Sequence, residues 1–199
     1  MRTLRPIILL ILVVFSKAGR PAEKREASRR VFYTGRVAGG LLVAALIAAQ
    51  TAFMGWRVIA LDLGLLIAFA LWIGTEWRAD IGSTYLLGLA AMVIHFAEEY
   101  AMGFHRAFGG WEPWRFIVFN ACWFVLFAWA AWRKSYLIIL FFAVGAGIMN
   151  GVGHLLLALR SGGYFPGLWT SPLMLIAGVA VLRRLYAAPA SPPAPPVSP

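Results

Sequence analysis

Residues 136–158 read YLIILFFAVGAGIMNGVGHLLLA, twenty-three positions with no Asp, Glu, Lys or Arg. At a rise of ~1.5 Å per residue, a helix of that length extends ~35 Å, enough to cross a hydrocarbon core ~30 Å thick. Two residues spoil the apolar run. Asn150 and His154 are four apart, so a helix places them on one face. The stretch therefore reads as a membrane helix that turns a polar edge toward something other than lipid.

The rest of the chain repeats the pattern. Further apolar segments lie at about 37–54, 58–75, 82–100, 116–132 and 168–182. Of the 199 residues, 61% are hydrophobic and only 13% charged, where a soluble domain is nearer a quarter charged. The expected fold is all-α, a polytopic membrane bundle of about six transmembrane helices over residues 37–186. A short apolar segment (6–15) and a basic linker make up residues 1–36. Residues 6–15 are too short to span and are read as an interfacial or poorly ordered piece. Cleaving them as a signal would export the basic linker. The tail from 187 to 199 is Pro-rich and without apolar period, and is expected to be disordered.

Orientation follows from the basic residues. Lys17, Arg20, Lys24, Arg25, Arg29, Arg30 and Arg36 precede the first span, and Arg78, Arg133, Lys134, Arg183 and Arg184 recur on the same side of the expected bundle. The other side holds Arg57, Arg106, Arg115 and Arg160. The positive-inside rule then puts both termini in the cytoplasm. The net charge of +10 is explained by these blocks, and no basic soluble face is available for nucleic acid. The one cysteine, Cys122, excludes an internal disulfide and reads as a small packing residue.

Against this apolar background the polar residues stand out. The stretch 91–100, AMVIHFAEEY, ends a span with His95, Glu98 and Glu99. At spacings of three and four these three project from one helix face. Counting from the cytoplasmic ends, His95 lies 13 residues deep, Asn150 14, His154 18 and Asn120 12. Gln50 and Asp62 fall at similar depth. Ionisable groups inside a span are costly and normally face the bundle interior or a wet cavity. A shared layer in the outer half of the bilayer, between spans three, four and five, is the expected site.

Three patterns occur in order: H-x-x-E-E at His95, Glu98 and Glu99, N-x-x-x-H at Asn150 and His154, and Y-x-P-G at Tyr164, Pro166 and Gly167. Together they resemble the HXXEE-motif family of small bacterial membrane proteins, over about residues 82–182. The resemblance names shared residues and carries no established reaction.

Three chemistries fit these residues. His95, Glu98, Glu99 and His154 on facing helices make a candidate set of ligands for a divalent metal, zinc or iron, with Asn150 or His105 as a further partner. The same groups, His95, Glu98, Glu99, Asn150 and His154, suit metal-free acid–base catalysis on a lipid- or isoprenoid-like molecule from the membrane. A non-enzymatic ligand-binding, proton-relay or small transport protein would use them as well. Structural readings stand beside these. Gln50 and Asn120 would bond between helices, Asp62 near a helix start, and Glu112 would pair with Arg115 at the surface. Tyr164, Pro166 and Gly167 would form a turn at the mouth of the site.

Overall fold

The computed structural model describes residues 22–74 and 81–187, with side chains from residue 35 onward. The expectations for residues 6–15, for Arg78 and for the Pro-rich tail from 188 lie outside these residues. Among the described residues the chain is mostly helical, without strands. We number the helices α1 (Ala22–Met54), α2 (Ile59–Gly74), α3 (Gly82–Ala101), α4 (Pro113–Arg133), α5 (Tyr136–Ser161) and α6 (Ser171–Ala187). The segments Gly35–Met54, Trp56–Gly74, Pro113–Arg133 and Tyr136–Ser161 are long and apolar enough to cross a membrane. α1 starts at Ala22 rather than at residue 37, so the latter part of the basic linker continues the first apolar helix.

Contacts divide the chain into one unit through Ala45 and another from Leu46 onward. The first consists, among its described residues, of the beginning of α1. The second holds the bundle and all the candidate residues.

Within that bundle α5 is the central helix. The α5 window is 67% buried, against 22% for the window on α2 and 28% for that on α4. Every residue from Leu137 to Gly147 is buried. α2 packs on one side of α5, and α6 packs against both α5 and α3. Small residues set these crossings. A Cβ on Gly64 of α2 would stand 2.7 Å from the Gly145 Cα, and one on Gly147 would stand 2.6 Å from the Gly178 Cα of α6. Where lipid tails are as apolar as leucine, such close backbone packing does what hydrophobic burial does in water. Gly145, Gly147 and Gly151 thus each admit a close neighbour, while Gly153 faces open space.

Aromatic rings fill the layer beside α5. Trp123 and Phe127 of α4 meet Phe141 and Phe142, with ring centroids 4.6–5.8 Å apart. The Tyr85 hydroxyl donates to the Phe127 carbonyl at 3.1 Å. A second cluster, Met54, Val58, Phe104, Trp111 and Phe116, closes the end of the bundle where α3 turns into α4. The Trp111 indole N–H donates to the Met54 carbonyl at 2.7 Å and fixes that turn to the end of α1.

The middle of α5, Phe142–Met149, is π-helical, and α-helical turns resume at Asn150. Wide π turns are uncommon and are found frequently at functional sites. Here the widened stretch ends immediately before Asn150 and His154.

Candidate functional site

Side chains of α3 and α5 meet at the level of His95 and Asn150. His95 and His154 are 2% and 1% exposed, and their rings meet edge to face with centroids 4.7 Å apart. Both rings direct Nε2 at one oxygen. Glu99 Oε1 is 2.9 Å from the His154 Nε2 and 3.4 Å from the His95 Nε2. The Asn150 side-chain Nδ2 is 3.0 Å from the same His95 Nε2. Two histidines, a carboxylate and an amide from two helices therefore converge on one point.

Glu98 does something different. Its carboxylate turns to the segment that joins α5 to α6. Oε1 accepts from the Tyr164 hydroxyl at 2.7 Å and the Trp169 amide at 3.1 Å. Oε2 accepts from the Thr170 amide at 2.8 Å and the Thr170 hydroxyl at 2.6 Å. All four acceptor positions of a carboxylate are then filled. His95 links the two acids, since its Nδ1 is 2.8 Å from the Thr170 Oγ1. Adjacent residues on a helix are ~100° apart, which is why Glu98 and Glu99 part company on either side of His95.

The Y-x-P-G segment is pinned by these bonds. Burial, and then the neighbouring Glu98 carboxylate, push the Tyr164 hydroxyl up to about 12, so it remains a donor at any physiological pH. Pro166 and Gly167 are buried, and Gly167 has a φ of +91°. Its α-carbon lies against the His154 imidazole, on which Phe104 also packs at 5.1 Å. The segment is thus a wall of the site as well as its edge.

A cavity of about 140 Å³ opens beside the cluster. Glu99, Asn120, Asn150 and His154 supply its polar lining, while Met92, Phe104, Trp123, Phe141 and other apolar residues supply the rest. Asn120 donates to the Phe116 carbonyl of its own helix at 3.0 Å, so it is held locally and still faces the cavity. Arg57 also lines it and is anchored by a 2.9 Å bond to the Gly109 carbonyl.

Other candidates fall outside the cluster. Gln50 donates to Asp62 Oδ1, and Thr51 donates to its Oδ2 at 3.1 Å, a polar tie between α1 and α2. His105 is buried between Tyr100 and Phe116, with centroids 5.7 and 6.0 Å away. Burial, and then Arg106, hold its imidazole below the ordinary histidine value. The Arg115 guanidinium lies over the rings of Phe53 and Trp114. Cys122 is exposed rather than packed, because it falls on the outward face of α4. Thr170 is a site residue that sequence reasoning misses. A lone threonine outside any motif gives no signal, and only the fold brings it between His95 and Glu98.

Residues 86–182 match a family described as a protein of unknown function with HXXEE motif. No curated protein and no solved structure matches the chain. The matched region begins in α3 and ends in α6, so it contains every residue of the His/Glu cluster and the segment bound to Glu98.

Proposed function

We propose that this chain, whose residues 86–182 are of the HXXEE-motif family, is an intramembrane enzyme acting on a lipid- or isoprenoid-like molecule. In this reading six helices span the bacterial cytoplasmic membrane with both termini inside, and the cavity opens in the outer half of the bilayer. One observation carries the proposal. Glu99, Asn120, Asn150 and His154, with Arg57, line a cavity whose other walls are apolar. A mostly hydrophobic pocket with a few convergent polar groups is the usual form of a small-molecule site.

The chemistry would centre on Glu99 and His154, which share a hydrogen bond at 2.9 Å and both face the cavity. Such a pair can take a proton from a bound molecule and return it at another atom. Asn150 and Asn120 would orient the molecule's polar group, and Trp123 and the phenylalanines would hold its hydrocarbon part. Glu98 has no free acceptor position and would serve by fixing the Tyr164–Thr170 wall.

The test compares lipid-soluble extracts of cells producing the wild type or Glu99→Gln. The proposal expects a species made in the presence of the wild type to give way to its precursor with the variant. Identical extracts, with both proteins folded and equally abundant, would count against it. A proton-relay or transport role is the second reading. It is favoured by the hydrogen-bonded run Tyr164, Glu98, Thr170, His95, which leads from an exposed hydroxyl to the buried cluster. That role requires flux in reconstituted vesicles that follows a pH gradient.

A further inference from the structure

We propose that His95, Glu99 and His154 hold one divalent transition-metal ion, with the Asn150 side-chain oxygen as a fourth ligand and Glu98 positioning His95 through Thr170. This rests on the same site as the proposed function, though not on any particular substrate. The ion would take the His154 Nε2 and the Glu99 oxygen that share the 2.9 Å hydrogen bond, and would supply the site's chemistry in place of proton transfer by that pair.

The first argument is convergence. A ring nitrogen of His95, a ring nitrogen of His154 and a Glu99 oxygen all lie within 4.8 Å of one another. Ligands bound at ~2.0–2.2 Å around a tetrahedral ion stand about 3.3–3.6 Å apart. The observed 2.9 and 3.4 Å separations to Glu99 need changes of less than about an ångström to reach that spacing.

The second argument follows the protons. Glu98 accepts at all four positions, so the Thr170 hydroxyl spends its proton on Glu98 Oε2. Thr170 Oγ1 must then accept from His95, which puts a proton on Nδ1 of that ring. In the neutral imidazole Nε2 consequently carries a lone pair, and it points at Glu99 and Asn150. A metal-binding histidine is normally held this way, with its far N–H donated to a fixed partner that sets tautomer and orientation. The oxygen and nitrogen of an asparagine amide are nearly the same in shape, and turning the Asn150 amide over presents Oδ1 at the same place.

The third argument concerns His154. Its Nδ1 is buried and has no hydrogen-bond partner. Nε2 now holds the ring proton against Glu99 at 2.9 Å, and no hydrogen bond at Nδ1 opposes its transfer there when Nε2 takes an ion. Two imidazoles with one carboxylate and an amide form a nitrogen–oxygen set suited to zinc or ferrous iron, rather than to magnesium or calcium. Glu98 is left out of the ligand set because it has no lone pair to give.

The experiment uses the full chain purified in detergent. Elemental analysis gives metal per protein, and cobalt(II) titration of chelator-treated protein gives a visible ligand-field spectrum. The proposal expects about one equivalent and a saturable cobalt spectrum. Both should be lost in His95→Gln, Glu99→Gln and His154→Gln, and both kept in His105→Gln. Thr170→Val should weaken cobalt binding about 10- to 100-fold, and Thr170→Ser should restore it. A folded wild type that is metal-free and gives no cobalt spectrum overturns the site. So does a site that survives loss of either His95 or His154. Because these readouts are independent of turnover, a metal-free protein whose expression still changes the lipid extract would leave the enzyme proposal standing. A metal-loaded protein that changes no lipid would do the reverse.

Discussion

Gly167 shows how little room the site leaves. A Cβ at this position would lie 2.5 Å from the His154 Nδ1, and its φ of +91° is one that other residues seldom adopt. Gly167→Ala is therefore expected to cost about 1–3 kcal/mol and to displace the imidazole from Glu99. A lowered melting temperature in detergent, with a changed His154 environment by NMR, would bear this out. An unaltered melting temperature would show that the segment moves aside freely. Glu98 makes a complementary prediction. Glu98→Gln replaces one twice-bonded oxygen by an NH₂ group that cannot accept, so two of the four donors from Tyr164, Trp169 and Thr170 lose their partner. About 1–3 kcal/mol of local stability should go with them. Hydrogen exchange should quicken by more than about tenfold at the Trp169 or the Thr170 amide, whichever faces the new NH₂ group, while exchange in the middle of α4 stays as it was.

At the scale of the helices, the arrangement depends on which glycine faces which neighbour. A Cβ on Gly178 would meet the Ile148 nitrogen at 2.8 Å, whereas one on Gly153 would meet nothing within 4 Å. Gly178→Leu should therefore separate α6 from α5 and cost more than about 1–3 kcal/mol, the usual range for overpacking. Gly153→Ala should be neutral or add up to about 1 kcal/mol through helix propensity. Thermal unfolding of the two variants side by side checks the contrast, and equal effects would contradict it. Much at this scale is legible in the sequence. Charge-free runs mark the helices, and depth counting groups Glu99, Asn120, Asn150 and His154, which line one cavity. But it places His95, Glu98, Gln50 and Asp62 in the same layer, and these do not line it. The division of labour between Glu98 and Glu99 is not legible. Spacing alone puts both beside His95, and the donors that claim Glu98 come from a segment some seventy residues away. The π turn in α5 and the early start of α1 are hidden for a similar reason, since neither alters the apolar pattern.

For the whole molecule, a proposed topology is joined to a site. Six spans with both ends inside predict that a reporter active only in the cytoplasm works when fused to either terminus, and that one active only outside works in the loop holding Arg106. A C-terminus reporting from the outside would break the proposed orientation and, with it, the outward-facing cavity. The central claim is that this cavity holds a hydrophobic molecule against Glu99 and His154, and native mass spectrometry of detergent-purified protein tests it most directly. The wild type and Glu99→Gln should both carry a co-purified hydrophobic mass, and Gly153→Trp, which fills the cavity from the open side of α5, should carry none. A filled variant that retains the mass as fully as the wild type, or a folded wild type that carries none, would contradict the account.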